Sequence, residues 1–171
     1  MLIVFAGLPG TGKTTLAREL ARRLQATYLR IDTLEQAILR LHVASDPELA
    51  PVGYFAAYAV AADNLRLGSI VVADAVNSLA VVRDSWTEVA AEAGVPIVEI
   101  EVICSDAVEH RRRVESRQAD IPGHTLPTWQ EVQDHRVDRW EREHLLIDTA
   151  AISVQHAVDT LIWRLQAIRT V

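Results

Sequence analysis

The chain has 171 residues, half of them hydrophobic and 23% charged, a globular composition with enough length for one sizeable core. Seventeen basic against twenty-three acidic residues leave a net charge of −6, which counts against extended nucleic-acid contacts because phosphate neutralisation needs a basic surface. The single cysteine excludes an intramolecular disulfide, and no apolar run approaches the roughly 20 residues of a membrane helix. An apolar strand beginning at residue 2 leaves no room for a signal peptide, so a cytoplasmic protein is expected.

Residues 2–6, Leu-Ile-Val-Phe-Ala, form an apolar run of buried-strand length. Gly7-Leu8-Pro9-Gly10-Thr11-Gly12-Lys13-Thr14 follows, matching GxxxxGK[ST], and Thr15 continues it. Glycines let successive backbone N–H groups turn inward on a phosphate, and Thr14 offers a hydroxyl to Mg²⁺. Lys13 is the chain's one lysine, against sixteen arginines, and its ammonium is a compact charge that fits between phosphates. Beyond it, Leu16, Leu20 and Leu24 recur every four residues, with Ala17 and Ala21 widening the stripe and Arg18, Glu19, Arg22 and Arg23 facing away. Strand, glycine loop and amphipathic helix together are the context a P-loop requires.

The alternation continues. Residues 27–31 read as a strand ending at Asp32, and 34–41 as a helix. Asp46-Pro47 and Ala50-Pro51 break the chain, and 53–67 form a helix closed by Gly68. A strand at 70–73 ends at Asp74, a helix spans 79–93 with Gly94 as its stop, and a strand spans 96–103. A helix over 106–118 precedes a Pro/Gly-rich mobile loop at 121–127. A short helix over 128–135, a strand at 145–147 and a last helix over 152–169 complete the order. Continuous apolar strands separated by helices mean a parallel sheet covered on both faces, with ligands at the carboxyl ends of its strands.

That rule selects Asp32, Asp74 with Asn77, Cys104-Ser105 and Asp148-Thr149 beside the P-loop. Asp32 suits a group that accepts or orients a substrate hydroxyl proton, or an N-cap in a box with Glu35. Asp74 suits a carboxylate that holds Mg²⁺ through water or contacts substrate, or a turn residue with Asn77 and Ser78. Asn77 is a candidate substrate contact or a shaper of that turn. Arg113 and Arg117, spaced to share a helix face, could stabilise a transferring phosphoryl group; Glu109 could instead pair with Arg113. Tyr54, Phe55 and Tyr58 line one helix and suit core packing or a pocket wall. Cys104 reads as buried and inert, and the six histidines lack zinc-site spacing.

With these residues in view, the chain resembles the small P-loop kinases, within them the group of chloramphenicol phosphotransferase, polynucleotide kinase, gluconate kinase and adenylylsulfate kinase. The resemblance spans the whole chain, 1–171, as one domain, with the P-loop its specific part. It implies a three-layer α/β/α P-loop NTPase fold, a five-stranded parallel sheet in order 2-3-1-4-5 and a small lid at about 110–128. It implies ATP and Mg²⁺, with Gly7 to Thr15 and Arg113 on the nucleotide. It implies Asp32 as the hydroxyl-activating aspartate, Arg113 and Arg117 as lid arginines, and Asp148-Thr149 near the adenine. The expected activity is phosphoryl transfer to a hydroxyl of an antibiotic, nucleoside or metabolite. A polynucleotide 5′-hydroxyl kinase is the alternative, and the acidity counts against it. A regulatory switch fits poorly: a GTPase needs Asn-Lys-x-Asp and the only lysine is in the P-loop, Asp120-Ile-Pro-Gly123 lies outside the position of Asp-x-x-Gly, and an AAA-type motor would want a longer chain.

Overall fold

The computed structural model describes residues 1–40 and 52–169. β1 (Leu2–Ala6) lies at the centre of a five-stranded parallel sheet and is buried along its whole length. β2 (Thr27–Arg30), β3 (Val71–Asp74), β4 (Ile97–Ile103) and β5 (Leu145–Asp148) complete it in the order β2-β3-β1-β4-β5. The register sets Leu2 opposite Val71 and Ile97, and Phe5 opposite Asp74 and Ile100.

Strand alternation sorts the apolar side chains onto two faces. Ile3 and Phe5 pack with Leu16, Leu20, Val158 and Leu161 of α1 (Lys13–Leu24) and α7 (Val154–Arg169). Leu2 and Val4 pack with Ala57, Ala61 and Leu65 of α3 (Val52–Arg66), and with Trp86 of α4 (Ala80–Glu92). Truncating a fully buried leucine such as Leu20 is expected to cost about 2–5 kcal/mol. Because every pairing is parallel, all the strands point their carboxyl ends at one rim, where the P-loop lies.

Several boundaries differ from the sequence expectations. β2 stops at Arg30, and Ile31 already begins α2 (Ile31–Leu39), its side chain buried among the α3 and α4 residues. Asp32 therefore stands in the first turn of a helix, not at a strand end, and the box with Glu35 does not form because Arg30 is the N-cap, with no side-chain cap. A capping box does form at α6 (Trp129–Gln133), between Thr128 and Glu131. α5 (Ala107–Ser116) ends one residue before Arg117, whose backbone is extended at φ −66° and ψ 137°. Arg113 and Arg117 thus do not share a helix face. Leu41, Asp46-Pro47 and Ala50-Pro51 lie outside the described residues.

Candidate active site

The P-loop is shaped by backbone geometry. Gly7 has φ +148°, and a Cβ there would stand 2.3 Å from the Val102 carbonyl oxygen of β4, so no larger residue fits. Gly12 has φ +93° and caps α1 without a side-chain hydrogen bond, which leaves the first N–H groups of the helix open toward an anion. The loop is braced on every side. Thr11 donates to the Leu8 carbonyl at 2.9 Å, Thr149 donates to the Thr11 carbonyl at 2.7 Å, and His110 Nε2 donates to the Pro9 carbonyl at 2.8 Å. His110 is itself wedged edge-on against Trp129, with ring centroids 5.2 Å apart.

A cleft of about 340 Å³ opens over this loop, lined by Gly12, Lys13, Thr14, Arg18, Arg117 and Asp120 among others. Lys13 is only 7% exposed. Burial pushes its ammonium below the ordinary lysine value, against the opposing pull of Asp74 and Asp32. An incoming polyphosphate would relieve that cost by supplying the missing negative charge. Asp74 is buried. Its Oδ2 accepts a 2.6 Å hydrogen bond from the Tyr28 hydroxyl, and its Oδ1 has no partner among the described residues. Burial, reinforced by Asp74, pushes the Tyr28 phenol upward, so it stays a donor.

A buried carboxylate oxygen without a partner, near the P-loop lysine, suits a hydrated cation. Among the described residues no group of three His, Cys, Asp or Glu side chains could hold a metal. The donor set therefore fits an ion such as Mg²⁺ that takes few protein ligands and completes its shell with phosphate oxygens and water. Thr14 lines the cleft, and Asp74 lies buried close enough to Lys13 to act on its charge.

The arginine cluster divides. Arg111 pairs with Glu115 and Arg112 with Glu109 on the exposed face of α5. Arg113 borders the cleft, yet its Nε donates to Glu109 at 2.8 Å and its Nη1 to the Thr149 hydroxyl at 2.8 Å, so it also ties α5 to the end of β5. Arg117 lines the cleft and makes no hydrogen bond or ion pair among the described residues. The amide of Asn77 is fully engaged: Nδ2 donates to the Phe5 carbonyl at 2.7 Å and Oδ1 accepts from Trp86 Nε1 at 3.1 Å. With φ +46° and 1% exposure, Asn77 is a turn residue, which corrects its expected substrate contact.

On the far side of the cleft the structure assembles a network that sequence reasoning missed. Asp120 accepts from Arg18 Nη2 at 2.6 Å and from Arg30 Nη1 and Nη2 at 2.8 and 3.1 Å. Arg30 is buried and its Nη2 also lies 3.6 Å from Asp32 Oδ2. Hydrogen bonds from Arg30 and Arg18 hold the Asp120 carboxyl well below the usual carboxylate range. Glu35 packs beneath Gly53 of α3, and burial, with Asp32 nearby, pushes its carboxyl up to about 7. Tyr54 stands by the Asn77 backbone and close to Glu35 and Asp32, whereas Phe55 points to solvent and Tyr58 packs edge-on against Trp86 at 4.5 Å. Arg18, Arg30 and Asp120 are separated by 90 and 102 residues from their partners, so no local pattern announces them. The contact of His110 to Pro9 spans 101 residues and likewise leaves no local signature.

A family model described as an AAA domain matches residues 2–144. A search of curated proteins found no match. Solved structures superpose on nearly the whole chain. A candidate kinase from Chloroflexus aurantiacus shares 22% identity over 97% of this chain and 96% of its own, with a TM-score of 0.76. The APS kinase CysC of Mycobacterium tuberculosis, in complex with AMPPNP and APS, shares 22% over 96% of each chain at 0.73. A gluconokinase from Sinorhizobium meliloti 1021 shares 21% over 92% of this chain and 86% of its own at 0.61. At these identities the likeness establishes the fold. Among the described residues no helix is long and apolar enough to cross a membrane.

Proposed function

The chain belongs to the AAA-domain family, and on that footing we propose that it is an ATP-dependent phosphotransferase that moves the γ-phosphoryl group of ATP onto a hydroxyl of a small molecule. The observation that carries this reading is the buried Lys13 ammonium, on whose charge Asp74 and Asp32 act favourably and Arg117 and Arg30 unfavourably. A nucleotide-holding site needs the P-loop; a transferring site also needs an acceptor-side carboxylate and a cation for developing charge.

The triphosphate lies along the N–H groups of Gly10 to Thr15, with the Lys13 ammonium among its oxygens. Asp32 accepts the hydrogen bond of the acceptor hydroxyl and takes its proton as the oxygen attacks the γ-phosphorus. The bond from the γ-phosphorus to the β–γ bridging oxygen breaks, and ADP carries away that electron pair. Arg117 meets the charge spreading over the transferring group, and Arg113 borders the nucleotide while fixing α5. Mg²⁺, held by Thr14, by Asp74 and by the nucleotide, would supply further neutralisation of phosphate charge.

Names of two superposed proteins, an APS kinase and a gluconokinase, are those of enzymes acting on small molecules and support a small acceptor. The net charge of −6 weighs the same way. The test is an ADP-release screen across hydroxylated metabolites, nucleosides and antibiotics, with a 5′-hydroxyl oligonucleotide as one arm and Lys13→Ala as the control. Acceptor-dependent release that Lys13→Ala abolishes is expected. Release from the oligonucleotide alone would select the polynucleotide reading, and release unaffected by Lys13→Ala would sink both.

A further inference from the structure

Arg30 is 4% exposed, and a guanidinium that far from water must be paired. Among the described residues two carboxylates lie within ion-pair distance of it, and they come from different segments of the chain. Asp120 belongs to the irregular segment between α5 and α6, which carries Pro122, Gly123 and Pro127 and brings Arg117 to the cleft. Asp32 belongs to α2 and is the group assigned above to the acceptor hydroxyl. The two are not equal partners. Asp120 takes both Nη groups in a fork at 2.8 and 3.1 Å, while Asp32 stands at 3.6 Å, an ion pair without a hydrogen bond.

We propose that Asp120 and Asp32 compete for Arg30, so that docking of the 117–128 segment draws the guanidinium off Asp32 and leaves that carboxylate free for the acceptor hydroxyl. This rests on Asp32 being the acceptor-side carboxylate. When the segment is undocked, the buried Arg30 has Asp32 as its remaining anion, and a short charge-assisted bond lowers the basicity that taking the hydroxyl proton needs. Docking restores the fork to Asp120, reinforced by Arg18 of α1 at 2.6 Å. Because Arg117 precedes Asp120 by three residues, the cation for the phosphoryl group arrives as the base is released. Arg30 Nε has no partner among the described residues, so the guanidinium is fixed on one edge only and is able to swing. Arg30 and Asp120 are positioning residues: they act through Asp32 and touch neither ATP nor acceptor in this scheme. An undocked site would then waste little ATP, since the carboxylate that could activate water is occupied.

Asp120→Asn removes the competing charge with little change of shape. It should lower kcat about tenfold or more while ATP still binds by titration, and Asp120→Glu, which keeps the carboxylate, should retain more of the rate. The discriminating variant is the double change Asp120→Asn with Arg30→Met, which replaces the buried cation by a residue of similar length. If Arg30 inhibits by capturing Asp32, the double variant turns over several-fold faster than Asp120→Asn alone. A purely structural ion pair predicts a double variant as slow as, or slower than, the single one, and that result in folded protein overturns the proposal. A crystal structure of Asp120→Asn supplies a readout that needs no turnover: the Arg30–Asp32 separation should close to about 3 Å. An unchanged separation also overturns it. Should the native protein transfer phosphate to no acceptor, the functional reading fails and this distance alone decides the competition.

Discussion

Around the P-loop, position is enforced by main chain: Gly7 against the Val102 carbonyl, and Thr149, His110 and Thr11 each bonded to a loop carbonyl. Across the cleft, around Asp32, position is enforced by charged side chains: Arg18 and Arg30 on Asp120, Arg30 beside Asp32, Glu35 under Gly53. The first arrangement has one geometry and little give. The second consists of partners that can be exchanged, since ion pairs in a partly wet cleft differ by small energies and respond to whatever charge arrives. A fixed cradle suits a ligand group of constant shape. A network that can rearrange suits the proposed commitment of an acceptor to reaction.

Four substitutions would break or sharpen this contrast. Gly7→Ala should do the greatest damage, because it imposes an unfavourable φ and a clash with backbone. A cost of about 1–3 kcal/mol from the conformation alone lowers Tm by roughly 5 °C, and ATP binding should vanish; a normal Tm with intact binding would show that the cradle yields. Next comes Asp32→Asn, expected to cut kcat by about 10²-fold with ATP binding retained. An unchanged rate there would reduce Asp32 to a helix residue. Arg117→Ala should lower kcat about tenfold with little change in Tm, because no hydrogen bond or ion pair within the described residues is lost. If Arg117 matters only for binding, KM for ATP rises while kcat stays.

Glu35→Gln gives the smallest effect and carries a pH signature. The folded chain keeps this carboxyl protonated up to about 7, against an ordinary 4.5, so the folded state holds a proton that the unfolded state has released between those values. Native stability attributable to Glu35 therefore falls as pH rises from about 4.5 to about 7 and is level above. The glutamine variant escapes that loss. Its Tm should exceed the native value by roughly 1–3 °C at pH 8 and match it near pH 4. A constant difference across that range would mean that Glu35 is not held protonated.

The same contrast explains what could be read from sequence. Gly7, Gly12 and Lys13 were legible because main-chain geometry demands particular residues at fixed spacing, and the run before them and the leucine stripe after them are local patterns. The sheet order follows the resemblance and is observed. Asp32 stands in the first turn of α2 and not at the expected strand end: residues 27–31 are uniformly β-compatible, and what turns Ile31 into a helix is its burial against α3 and α4. Arg117 fell off its expected helix because nothing in the arginine run marks where α5 stops. In sequence Asp120 reads only as a misplaced Asp-x-x-Gly, since its contacts are to two arginines that folding brings from far along the chain. Asn77 shows the opposite error, a polar residue at the right rim whose amide is used up by Phe5 and Trp86.

A last consequence follows from the lysine at the base of the cradle. Apart from the amino terminus it carries the chain's one primary amine, it is almost fully buried, and burial makes that amine easier to deprotonate than an ordinary lysine. A small uncharged acylating reagent would find this amine in the open cleft, where the neutral form is the nucleophile, whereas a bound polyphosphate would hold it protonated and cover it. One covalent tag on Lys13, weighed on the intact chain, would then report an empty site, and its suppression a filled one, for any competitor.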